Sequence, residues 1–236
     1  MSKNPIKIVE TIGEAIAVII RSRNILAKTL ILPVLFYILL DLIGYFNRSV
    51  ALSWLLKFFS LIAYSVLAIT VYRVLLKGKE AVPAWGLRTW SIRESKFILY
   101  VIAVDLFLLL SFYFLVSFDF RHHAKDPALG FIFTLILLFF IYCIFMVVAR
   151  VSLIYPATAL EHKMTFKDAW QVSRIYKNYL FLVVVIPRLL MMWIHLLPSK
   201  PLLLVIIASV IRILSHLFFI AVLAIAYNNI QRNHER

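Results

Sequence analysis

A chain of 236 residues with 64% hydrophobic side chains and a mean hydropathy of +0.96 is too apolar for a water-soluble domain, where apolar residues make up roughly half of the total. The apolar residues come in runs of about 20, the length a helix needs to cross ~30 Å of hydrocarbon, and not in the alternation that a membrane β-barrel requires. The formal charge of +14 gathers at the ends of these runs, so it carries topological information and does not form a nucleic-acid footprint.

Residues 5–23 predict an amphipathic surface helix. Ile8, Val9, Ile12, Ile16 and Ile19 share one face, with Lys7, Glu10, Glu14 and Arg21 off it. Apolar spans follow at about 25–46 and 52–76, then a polar crossing at 77–95 that holds Trp85 and Trp90. Further spans run at about 97–118 and 129–154, separated by a short polar loop at 119–127; the second ends at Pro156. The next crossing carries the clearest local signal. Thr165-Phe166-Lys167-Asp168 has the form of a capping box, a hydroxyl followed three residues on by an acid. Behind it Phe166, Ala169, Trp170, Ser173 and Tyr176 recur at helical spacing, with Lys167, Gln171, Arg174 and Lys177 largely elsewhere. A helix apolar on one side and basic on the other, joined to apolar spans, belongs in a headgroup layer. The last spans are expected at about 179–197 and 202–227, before a polar tail at 228–236.

The fold class expected is therefore all-α: a single membrane domain of six spans arranged as three hairpins, each preceded by an amphipathic cytoplasmic interfacial helix. Lysine and arginine concentrate around the start of the first span, the two crossings and the C-terminus, while the opposite side has only Arg48, Arg121, Lys125 and Lys200. The positive-inside rule then places both termini in the cytoplasm. No cleavable leader is evident in the first 24 residues, because Glu10, Glu14, Arg21 and Arg23 interrupt the apolar positions. Cys143, the only cysteine, sits in an apolar run and has no internal partner.

An internal repeat is visible when Thr11 is set on Thr165 without a gap. Glu14 then meets Asp168, Ala15 meets Ala169, Val18 meets Val172, Asn24 meets Asn178, Leu26 meets Leu180 and Pro33 meets Pro187. A weaker middle copy aligns Arg73 with Arg150 and Trp85 with Trp170, giving units at about 5–77, 80–156 and 163–232. Each unit contains an even number of spans, so the copies run parallel.

The stretch Arg150-Val-Ser-Leu-Ile-Tyr-Pro-Ala, followed by Ala159-Leu-Glu, Asp168-Ala-Trp, Ser173-Arg174 and Asn178, resembles the signature crossing of a broad bacterial family. That family includes YciC-type inner-membrane proteins and the membrane domain attached to some glycerophosphodiester phosphodiesterases. The resemblance is sharpest over about 40 residues. It implies a six-span bacterial inner-membrane protein; it does not imply phosphodiesterase activity, since that chemistry belongs to a separate soluble barrel.

Ionisable residues inside spans are costly and count as candidates for function. Asp105 and Arg188 fall at similar depths on aligned spans, while Arg212 and Asp41 lie at roughly compatible levels on spans 6 and 1. Two readings follow: a polar centre where the repeats meet, or ion pairs that fix helix order. Pro33 and Pro187 interrupt spans at matching positions, a pattern seen both at transport sites and in ordinarily kinked helices. Asp119, His122, His123 and Asp126 gather in one loop, but their spacing matches no compact metal-ligand pattern. The interfacial set comprises Arg73, Arg150, Thr165, Asp168, Trp170, Arg174 and Asn178; Arg73 and Arg150 end equivalent spans and are expected to reach headgroup phosphates or Glu80 and Glu161. No nucleophile–base set, phosphate-binding glycine loop or paired catalytic carboxylates can be assembled. The expectation is a non-enzymatic membrane protein without cofactor or metal that scaffolds or senses the envelope. Its partners would be a bilayer with anionic headgroups and other membrane proteins, not nucleic acid. The alternative is a small transporter or lipid-handling channel with a midplane polar site.

Overall fold

The computed structural model describes residues 7–47, 49–82, 90–117, 127–195 and 202–235. These residues form eight α-helices and no strand: α1 (Ile8–Phe46), α2 (Val50–Lys77), α3 (Ile92–Ser117), α4 (Pro127–Val151), α5 (Ile154–Ala159), α6 (Phe166–Ser173), α7 (Lys177–His195) and α8 (Leu202–Glu235), with a short 3-10 turn at Lys79–Ala81. Among the described residues five helices are long and apolar enough to cross a membrane: α1, α2, α3, α4 together with α5, and α8. The apolar part described for α7, Lys177–Pro187, is shorter.

The separate surface helix expected at 5–23 does not form; it is continuous with the first span. α1 runs unbroken for 39 residues, about 58 Å at 1.5 Å per residue, nearly twice the hydrocarbon thickness. Its aligned counterpart does break: α6 ends at Ser173, and the backbone switches there to shorter-range bonds, Arg174 N–H to Gln171 O and Tyr176 N–H to Ser173 O. The cause is local. Trp170 O, which would accept from residue 174 in a continuing helix, accepts instead from the Ser173 hydroxyl and from Arg150. In α1, Ile19 stands where Ser173 stands and offers no hydroxyl, so the ladder of hydrogen bonds continues through 20–24.

The capping box forms as expected. Thr165 Oγ1 accepts from Asp168 N–H, and the Asp168 carboxylate accepts from Thr165 N–H. The bonds that this carboxylate accepts from Thr165 N–H and from the Thr165 hydroxyl hold it below its ordinary value. The predicted apolar face of α6 divides: Ala169, Ser173 and Tyr176 are buried, whereas Phe166 and Trp170 remain about 40% exposed. The last helix also exceeds its expected end, because the polar residues 228–235 continue it.

α8 packs most extensively against α1, and α1 against α2; α7 packs on α8 and α4, and α3 on α2 and α5. α1 and α8 run antiparallel, with Asp41 beside Arg212 toward one end and Glu14 beside Asn229 toward the other. The start of α1, the end of α2, the start of α3, the α5–α6 turn, the start of α7 and the end of α8 all meet at one end of the bundle. This basic end holds the core. Phe219–Tyr227 of α8 and Leu67–Val74 of α2 are buried without interruption, around small side chains such as Ala15, Ala149, Ala157, Ala221 and Ala224. Toward the other end α3 and α4 present phenylalanine and leucine outward. An open crevice of about 400 Å³ lies between them, lined by Phe107, Leu110, Phe114, Phe140 and Ile144 among others.

Candidate functional site

The densest polar constellation is built on the α5–α6 turn. α5 ends with His162 N–H bonded to Ala157 O and Glu161 N–H bonded to Thr158 O, the paired bonds of a Schellman motif. The residue that follows the cap in this motif adopts the left-handed conformation and is usually glycine. Here it is Glu161, at φ 66°. A β-carbon in that conformation costs about 1 kcal/mol, so the side chain must be held by something in return.

Two arginines hold it. Arg73 of α2 donates to the Glu161 carboxylate at 3.1 Å, and Arg93 of α3 donates to the same oxygen. Both arginine side chains are buried, at 10% and 5% exposure, while Glu161 is half exposed. Arg73 also donates through Nε to Ala81 O at 3.0 Å and through Nη1 to Ala159 O. Lys77 Nζ donates to Leu160 O at 3.1 Å. The last carbonyls of α5 are thus satisfied by cations from a neighbouring helix, the charge that a helix C-terminus favours. Arg93 is further paired with Glu94, which also accepts from Ser91. His162 Nδ1 lies 2.9 Å from the Tyr227 hydroxyl, joining the same turn to α8. Burial pushes the Glu161 carboxyl up, but the charges of Arg93 and Arg73 and their hydrogen bonds outweigh this and hold it below the ordinary carboxylate value.

Of the expected interfacial residues, Arg73 reaches Glu161 as anticipated. Arg150 does not reach a carboxylate among the described residues. Its guanidinium lies 3.4 Å over the Trp170 ring, donates through Nη2 to Trp170 O at 2.6 Å and through Nε to Ser173 Oγ at 3.2 Å. Thr165 and Asp168 cap α6, and Arg174 and Asn178 are exposed.

The expected polar centre is only partly brought together. Asp41 and Arg212 meet at 2.8 Å on the α1–α8 seam, and Ser209 donates to the same Asp41 oxygen at 2.6 Å. Arg212 Nε is buried without an acceptor among the described residues. Asp105 is exposed on α3, a helix that packs chiefly on α2, α5 and α4 rather than on the α1–α8 seam. The side chain of Arg188, its expected partner, lies outside the described residues, as does the loop with Asp119, His122, His123 and Asp126. Pro33 and Pro187 are both buried inside continuing helices. Among the described residues no group of three or more His, Cys, Asp or Glu side chains could hold a metal ion.

Sequence reasoning missed Arg93 and Glu94 as site residues and gave Glu161 only as one of two partners for Arg73. Arg73 and Glu161 are 88 positions apart, so no local spacing could pair them. Glu161 does leave one trace: an acid follows an alanine-rich helix end where glycine would be usual. Comparison with known protein families, curated proteins and solved structures finds no match.

Proposed function

We propose that this chain is a non-enzymatic multi-pass membrane scaffold whose basic end is a sealed, ion-paired platform. In this reading α1, α2, α3, α4 with α5, α7 and α8 make six spans as three hairpins in a bacterial inner membrane, and both termini face the cytoplasm. The sensing or scaffolding role resides in the platform, which presents basic residues to anionic headgroups and to other membrane proteins.

The observation that carries the reading is the junction at Glu161, where one carboxylate ties α2 and α3 to the α5–α6 turn. A residue held in a strained backbone conformation for its ionic contacts marks a place where geometry is fixed. The Asp41–Arg212–Ser209 cluster, bonded internally across α1 and α8, fits a structural pair better than an open binding site. The transport alternative draws its support from Arg212 Nε, a buried donor without an acceptor among the described residues.

Cysteine accessibility separates the two. In a Cys143→Ser background, Ser209→Cys should resist membrane-impermeant thiol reagents applied from either side of sealed vesicles. Labelling from one side would reveal an aqueous path to the Asp41–Arg212 pair and would replace the scaffold by a transporter.

A further inference from the structure

The contacts of Arg150 leave part of its guanidinium unused. Trp170 O is an orphan carbonyl at the end of α6, and Arg150 Nη2 caps it. The Ser173 hydroxyl donates to the same carbonyl, which leaves its oxygen lone pairs to accept from Arg150 Nε. One face of the guanidinium is covered by the Trp170 ring. The group is therefore fixed in plane and rotation, and Nη1 has no acceptor within the chain among the described residues. Arg174 follows Ser173, the residue to which Arg150 Nε is bonded, and Lys177 begins the next helix; both are exposed. The carboxylates of this segment are engaged elsewhere, Asp168 in the cap of α6 and Glu161 with Arg73 and Arg93.

Like charges gathered without a carboxylate need an anion. A rigid guanidinium with an open edge suits the paired oxygens of a phosphate. Trp170 beside it, and Phe166 and Ile175 on the same segment, expose apolar surface, Ile175 at 63%. A soluble anion has no use for that surface, whereas a phospholipid uses both parts: phosphate on the cations, acyl chain along the aromatic rim.

We propose that Arg150, Arg174 and Lys177, with the rim of Trp170, form a discrete site for the phosphate of an anionic phospholipid. The proposal rests on the reading of the chain as membrane-spanning with its basic end at the interface, and it adds a defined headgroup site to what would otherwise be diffuse attraction.

The full-length chain in phosphatidylcholine nanodiscs carrying a minor fraction of phosphatidylglycerol provides the test, read by native mass spectrometry of retained lipid. The wild type should retain phosphatidylglycerol selectively. Arg174→Gln, which removes an exposed side chain, should weaken retention about tenfold, and Arg174→Lys should restore much of it. Lys163→Gln, at another exposed cation of the same crossing, should have little effect. Equal retention by wild type and Arg174→Gln would overturn the site, and so would equal weakening by Lys163→Gln, which would indicate diffuse attraction. Displacement of the lipid by millimolar inorganic phosphate would overturn the lipid as occupant in favour of a soluble anion. A variant with Trp170 as sole tryptophan distinguishes failure of the site from failure of the membrane placement. If lipid-attached quenchers do not reach Trp170, the interfacial placement falls; if they do and Arg174→Gln changes nothing, only the site falls.

Discussion

The two ends of the bundle are made from the same kinds of residue and packed differently. At the basic end α8 is buried from Phe219 through Tyr227, whereas from Leu202 through Leu214 only Val205, Ala208, Ser209 and Ile213 are buried. Hydropathy does not separate the halves, since both are strongly apolar. In a bilayer, burying a leucine against another helix gains little over burying it in lipid, so close packing must come from small side chains and polar bonds. The basic end has both: alanines that let backbones approach, and the hydrogen-bonded turn at 159–162. The opposite end has a polar tie between α1 and α8, Asp41 with Arg212 and Ser209, and an open crevice between α3 and α4 lined by phenylalanine and leucine.

The comparison breaks most readily at Arg73. Arg73→Ala removes the donor to Ala81 O, Ala159 O and Glu161 together, and should destabilise the protein by about 3 kcal/mol, read as a lowered unfolding midpoint in detergent micelles. Overpacking is the next largest effect. Ala224→Leu, at a fully buried position of the basic end, should cost about 2 kcal/mol; Leu214→Ala on the same helix, 58% exposed at the other end, should be close to neutral. Similar losses for the two would erase the distinction between the ends.

At the opposite end, Asp41→Asn and Arg212→Gln should show a coupling of about 1 kcal/mol in a double-mutant cycle. Strict additivity would mean that the pair is not a tie. At Glu161 backbone and charge can be separated: Glu161→Gly loses the carboxylate but relieves the left-handed backbone, so it should be about 1 kcal/mol more stable than Glu161→Ala.

The smallest effect expected is in pH. Because the folded Glu161 carboxyl is held below its ordinary 4.5, its contribution is present above that value and is lost as pH falls through the folded value. The stability difference between wild type and Glu161→Gln should therefore shrink in acid and stay level through neutrality. A difference that grew on acidification would contradict the pairing with Arg73 and Arg93.

Sequence alone determined what depends on local composition and short spacing. Runs of about 20 apolar residues require helices that satisfy their own backbone in lipid, and Thr165 with Asp168 sets the start of α6 within four residues. Tertiary structure decided what depends on a neighbour arriving from elsewhere. α6 stops at Ser173 because Arg150 and the Ser173 hydroxyl take Trp170 O, while the aligned stretch of α1, with Ile19 in place of the serine, runs on. Asp41 faces Arg212 and not another charge because α8 returns along α1. Glu161 gained its role only when Arg73 and Arg93, from two other helices, converged on the turn that holds it. Apolar pattern fixes which segments enter the membrane, but it is nearly indifferent to which segment lies beside which. That choice is made by a few polar bonds and small side chains, whose partners are far apart in the chain.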